Sequence, residues 1–264
     1  MTSVKKTAIS IGKTAAAIAF WIAVWFALAL AVNDKLIVPT PLAVLRSLWE
    51  IIITSEFWIP AVLSLIRVIL GVAVSIVIGC ISAYLISKSK LLRTLVSPLL
   101  SIIKATPVAS FIVIAWVWID TDYLPIFIAS LIVIPIITSN VLQGISAIDK
   151  ELLDVARVYR FSPLKRLYRL YIPTIAPYFL AACRSSLGMA WKASVAAEMI
   201  VLTRNSIGRE IYHAKNNFET APVFAWTIIV IILSVIIEKA IVLSLNKLGR
   251  SMRLMPKGDG YAEN

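Results

Sequence analysis

Residues 151–173 read ELLDVARVYRFSPLKRLYRLYIP, the longest polar interruption in a chain that is otherwise mostly hydrocarbon. The stretch divides into two short amphipathic helices. In the first, Leu152, Leu153, Val155, Ala156 and Tyr159 recur at helical spacing, with Glu151, Asp154, Arg157 and Arg160 between them. Ser162-Pro163 then stops the chain and restarts it. Serine caps a helix start well, and proline fits the first helical position, where its missing N–H costs nothing. In the second helix Leu164, Leu167, Tyr168 and Tyr171 share a face opposite Lys165, Arg166 and Arg169, and Pro173 is expected to end it. Neither piece is long or apolar enough to span a bilayer, so the loop rests on a membrane surface or projects into water.

Composition sets what surrounds this loop. The chain has 264 residues, 60% apolar and only 15% charged, with a mean hydropathy of +0.90. A soluble domain of this size cannot hide so much hydrocarbon, so the chain reads as an all-α integral membrane protein. Six stretches are expected to span: 14–32, 61–86, 108–119, 123–142, 174–201 and 221–245. The first resembles a signal peptide, but its longer apolar core makes it a retained helix. A segment at 41–53 is too mixed to span, with Trp49 suited to the interface, and Pro60 is expected to open the next element. A half-amphipathic segment at 94–103 precedes the third span and is broken at Lys104-Ala105-Thr106-Pro107. Pro125 and Pro135 are expected to bend the fourth. Residues 202–220 read as a polar loop.

Six spans place both termini on the side of the 151–173 loop. Sixteen Lys and Arg fall on that side, against Lys35, Arg46, Arg204, Arg209 and Lys215 on the other. The positive-inside rule therefore assigns the loop and both termini to the cytoplasm. The net charge of +12 follows from that asymmetry and does not call for a nucleic-acid partner. The chain divides into a cytoplasmic segment 1–13, a single transmembrane domain 14–250 and a cytoplasmic tail 251–264.

Little here supports catalysis. Cys80 and Cys183 lie in apolar stretches, His213 is the lone histidine, and no metal-ligand cluster or nucleophile–base pair is evident. No G-x-x-x-x-G-K-[ST] sequence occurs, so the chain itself has no phosphate-binding loop for ATP.

The spacing within the loop carries a resemblance. Asp154-Val155-Ala156, three residues, Arg160, nine residues and Leu170-Tyr171-Ile172-Pro173 resemble the cytoplasmic EAA loop (149–173 here) of type I ABC importer permeases, E-A-A-x3-G-x9-I-x-L-P. Further stretches are similar to the nitrate/sulfonate/taurine-type branch. They are Val38-Pro39-Thr40-Pro41, Ser64-Leu65-x-Arg67, Lys104-Ala105-Thr106-Pro107, Arg184 through Gly188 to Trp191, Val195 to Met199, and Ile207-Gly208. Two departures stand out: Arg160 replaces the family glycine, and Trp116-Val117-Trp118-Ile119-Asp120 replaces a W-F-G-type sequence.

The resemblance implies a non-catalytic, multi-pass permease of the bacterial plasma membrane, paired with a second and identical permease subunit. It implies two ATP-binding subunits, which hold ATP and Mg²⁺, and an extracytoplasmic substrate-binding protein. The solute is expected to be small and anionic or polar, of the nitrate, sulfonate, taurine, bicarbonate or vitamin-precursor class. Asp154, Val155, Ala156, Arg157, Tyr159, Arg160, Ser162 and Pro163 are the expected coupling residues. An ion-gradient-driven secondary transporter is the alternative, and it often shows internal repeats.

Charges inside spans are costly and usually face a cavity or one another. Lys104, Arg184, Lys192 and Glu198, with Gly188, are the candidate pathway residues; the competing role is interhelical contact. On an ideal helix Arg184 and Glu198 lie about 40° apart in projection and about 21 Å apart in rise, while Lys192 lies about 80° from Arg184. Arg67 is expected to snorkel to the outer surface.

Overall fold

The computed structural model describes residues 2–34 and 36–251, and these form eleven α-helices, one π-helical turn and no strand. Lys35 and the tail from 252, with Arg253 and Lys257, lie outside the described residues. α1 (Thr2–Val32) is followed by α2 (Pro41–Ile53), which starts where Thr40 Oγ1 accepts the Ala43 N–H at 3.3 Å and Pro41 takes the first turn. α3 (Ser55–Lys88) and α4 (Lys90–Ala105) meet at Ser89, whose hydroxyl caps α4 through Leu92 N–H. α4 and α5 (Val108–Ala115) are bent by 106° at Thr106-Pro107. α6 (Leu124–Ser146) leads to α7 (Lys150–Val158) and α8 (Pro163–Arg166). A π-helical turn, Leu167–Tyr171, joins α8 to α9 (Ile172–Val201), before α10 (Ile207–Asn216) and α11 (Thr220–Ser251).

α6 is the centre of the bundle, packed between α3 and α9. Small residues let it approach closely. A Cβ on Gly71 of α3 would fall 2.7 Å from Ala129 Cβ and 2.8 Å from Ile126 O, so only glycine fits against α6 there. Val68 and Val72 of α3, Val133 and Ile137 of α6, and Leu187 and Trp191 of α9 form one buried cluster. Trp191 donates its indole N–H to Val230 O at 3.0 Å, which ties in α11. Ile112 of α5, Leu124 and Ile128 of α6, and Ala193 and Ala197 of α9 form a second.

Among the described residues, four helices are long and apolar enough to cross a membrane, within 12–32, 57–88, 124–146 and 220–244, or five if the bent α4–α5 pair is one span. α9 has the length, about 45 Å for its 30 residues. Its Arg184, Lys192 and Glu198 and its many small residues keep it out of that apolar class. α9 packs one side against α3, α6 and α11 and leaves another open, so it has no need to be apolar all round.

Three local expectations change. Pro60 sits inside α3, not at its start, near enough to the N-terminus that its missing N–H removes one early hydrogen bond. Pro173 does not end the second short helix. Ile172 N–H reaches back five residues to Leu167 O, and this widened turn leads into α9 with Pro173 in its first positions. The 202–220 loop contains α10, begun where Ser206 Oγ accepts the Arg209 N–H at 3.1 Å.

Candidate functional site

The polar loop is built as a capped helix and a strained turn. Asp149 Oδ1 accepts the Glu151 N–H at 2.9 Å and starts α7. At the other end Phe161 N–H reaches Ala156 O at 2.9 Å and Arg160 N–H reaches Arg157 O at 3.1 Å. That pair of bonds is a Schellman closure, which requires a left-handed residue after the helix. Arg160 adopts it, with φ 45°. The residue that departs from the glycine pattern therefore makes the glycine-type turn, at a cost of about 1–2 kcal/mol in backbone strain. Ser162 Oγ accepts the Lys165 N–H at 3.3 Å with Pro163 in the next position, and the Lys165 ammonium lies 4.2 Å from the Phe161 ring centroid.

What the loop exposes matters more than what it bonds. Ala156 is buried, whereas Asp154, Val155, Arg157, Tyr159, Arg160, Ser162 and Pro163 are exposed. The Arg157–Asp154 pair at 3.3 Å is open to solvent and adds little stability. Val158 and Tyr159 are 78% and 73% exposed, and Leu152, Val155, Leu164 and Tyr168 are exposed beside them. Such a cluster on a hydrophilic loop, with none of the described residues covering it, suits contact with another protein.

Of the intramembrane residues, Arg184, Gly188 and Lys192 lie along one open stripe of α9, at i, i+4 and i+8, with the two cations exposed and no atom close to where a Gly188 Cβ would sit. Lys104, at the end of α4, donates to Ser139 Oγ of α6 at 2.9 Å and is also exposed.

Glu198 goes elsewhere. It is fully buried: Ser64 Oγ donates to its Oε2 at 2.8 Å, Gly208 N–H to Oε2 at 3.3 Å, and Arg67 Nη1 to Oε1 at 3.4 Å. Arg67 turns inward to this carboxylate instead of snorkelling out, and its Nη2 also donates to Arg204 O at 2.9 Å. Ser64 Oγ accepts the Ile207 N–H at 3.1 Å. A Cβ on Gly208 would meet Glu198 Cβ at 2.6 Å, so α10 lies against α9 where only glycine fits. Ser64, Arg67, Glu198 and Gly208 thus form a clasp of α3, α9 and α10. Nothing in the sequence reading paired Arg67 with Glu198, although opposite charges in two apolar helices were a signal that they seek each other.

Residues 75–245 match the family described as binding-protein-dependent transport system inner membrane component. The chain is 28% identical over 211 residues to a protein of Bacillus subtilis (strain 168) named as an aliphatic sulfonates transport permease, covering 79% of this chain and 76% of that one. It is 28% identical over 208 residues to a nitrate import permease of Synechococcus elongatus, covering 74% of each. In a bicarbonate transport system permease of Synechocystis the match covers 60% of this chain and 56% of that one, at 27% identity. Among solved structures, a bacterial alginate ABC transporter in complex with an alginate-bound periplasmic protein contains a chain similar in fold. The TM-score is 0.57 at 17% identity, over 93% of this chain and 97% of that one.

Proposed function

The chain belongs to the family of binding-protein-dependent transport system inner membrane components, and from that premise we propose that its 151–173 loop couples a separate ATPase to solute movement. It is the permease of an ATP-binding-cassette importer and a multi-pass protein of the bacterial plasma membrane, and an ion-gradient-driven carrier is set aside.

With α9 counted as a span beside the four apolar helices and the bent α4–α5 pair, the domain at 14–250 crosses the membrane six times. The segments 1–13 and 251–264 then lie in the cytoplasm with the loop. Two copies of this chain enclose the path, two ATP-binding subunits carrying ATP and Mg²⁺ dock below, and a substrate-binding protein delivers solute from outside. The carried solute is a small anion or polar organic molecule. The names of the sulfonate, nitrate and bicarbonate relatives favour an anion, as does the exposure of Lys104, Arg184 and Lys192.

The observation that carries the coupling assignment is the exposed apolar surface of α7 beside a strained turn closed by two backbone bonds. Asp154→Arg tests it. The variant is expected to insert normally and to lower ATPase co-purification or solute uptake about tenfold, as charge reversal at an interface does. An unchanged uptake rate counts against the assignment.

A further inference from the structure

At the end of the bundle that carries the coupling loop, a cavity of about 480 Å³ opens between the C-terminus of α3, the start of α4 and the end of α6. Lys88, Lys90 and Arg93 line it with Ser87 and Ser146, over an apolar floor. No carboxylate lines this cavity, and no ion pair among the described residues involves the three cations. The Lys88 ammonium has the Tyr84 ring 5.7 Å away. Three like charges within six residues repel one another until an anion sits among them, and a phosphate group offers several acceptor oxygens to such a set.

A second feature adjoins the first. α4 leaves the cavity with Leu91, Leu95, Leu99 and Ile102 all exposed, one per turn along a single face. A free phosphate or nucleotide uses the cations and leaves this apolar track unused. A lipid uses both.

We propose that the α3–α4–α6 cavity binds the phosphate group of an anionic phospholipid of the cytoplasmic leaflet, with an acyl chain lying along the Leu91–Ile102 face. Ser146 is three residues from Asp149, the cap of α7. A bound headgroup therefore bridges the α3–α4 turn to the base of the coupling loop. The choice of leaflet rests on the orientation proposed above; retention of a lipid in the cavity does not, so the two fail separately.

The test is lipid retention by the assembled transporter, purified from nanodiscs of phosphatidylglycerol or of phosphatidylcholine and read by native mass spectrometry. Phosphatidylglycerol is expected to survive delipidation at about tenfold higher occupancy. Lys90→Gln and Arg93→Gln are each expected to reduce it about fivefold, and Lys90→Arg to preserve it. Inorganic phosphate at equal concentration is expected not to displace it. Equal retention of the two lipids overturns the proposal, as does full retention in both Gln variants. Displacement by inorganic phosphate overturns the lipid assignment in favour of a free-phosphate site. Should a Gln variant fail to assemble, the wild-type comparison of the two lipids and the phosphate competition still decide.

Discussion

Two helix termini are closed by a bulky left-handed residue, Arg160 (φ 45°) after α7, ahead of α8 and the π turn, and Leu202 (φ 55°) after α9. The surroundings differ. Around Leu202 every polar group of the clasp has a partner: Glu198 accepts from Ser64, Arg67 and Gly208, and Thr203 Oγ1 donates to Thr121 O at 2.8 Å. Around Arg160 the amides of Tyr159, Arg160 and Phe161 are bonded, but Val158 and Tyr159 face solvent. One terminus is sealed within the chain, and the other leaves apolar side chains that the described residues do not cover. Damage at the sealed end should therefore cost stability, while damage at the open end should cost partnership and leave stability alone.

The largest effect is expected from Glu198→Ala. It leaves the Arg67 side chain, only 11% exposed, without its counter-charge, and deprives Ser64 and Gly208 of their acceptor. Breaking a buried pair this way costs about 3 kcal/mol, readable as a lower thermal unfolding midpoint of the purified transporter. The double variant Arg67→Ala/Glu198→Ala should cost less than the two singles together, since neither charge is then stranded. Additive costs would show that the two residues stabilise separately. Gly208→Ala comes next, at about 2 kcal/mol, because the new methyl meets backbone of α9 instead of a flexible side chain. A wild-type midpoint in that variant would mean α10 can lift off α9 freely, and the clasp would then not be sealed.

At the open end, Tyr159→Ala removes a side chain that is largely exposed. The unfolding midpoint should stay at the wild-type value, while ATPase association weakens about tenfold, as for a moderate interface residue. A lowered midpoint with unchanged association would invert the contrast between the two ends.

The open end was legible in the sequence and the sealed end was not, for a physical reason. The loop's helices, its Ser162-Pro163 restart and its EAA-like spacing are local, and local periodicity reports them directly. The clasp joins Ser64 to Glu198 across 134 residues. Each partner appeared in its own stretch, but no local pattern places α3 against α9. α10 was missed because 202–220 is polar, although Ile207, Ile211 and Ala214 after Ser206 do follow a helical period. Pro173 misled because a proline stops an α-helix by its lost hydrogen bond and its ring. The π turn before it widens the helix and removes that conflict. The stretch expected at 174–201 is one continuous helix, α9, and its charges do not break it: Arg184 and Lys192 lie on an open stripe and Glu198 inside the protein.

The smallest effect sharpens the comparison most, since it separates strain from contact. Arg160→Gly restores the residue for which φ 45° carries no Cβ penalty, while the Schellman bonds from Arg160 and Phe161 N–H are backbone and remain available. Set against the entropy that glycine loses on folding, the net gain is about 0.5–1 kcal/mol at the end of α7. Hydrogen exchange at the Phe161 amide should slow about twofold to fivefold, with the global unfolding midpoint unchanged because this turn opens locally. If the stabilised turn also couples ATPase to transport as wild type does, the strain at Arg160 is incidental and the exposed side chains alone carry the contact. If uptake falls while ATPase association holds, the turn must flex during the cycle, and the arginine keeps it poised to do so.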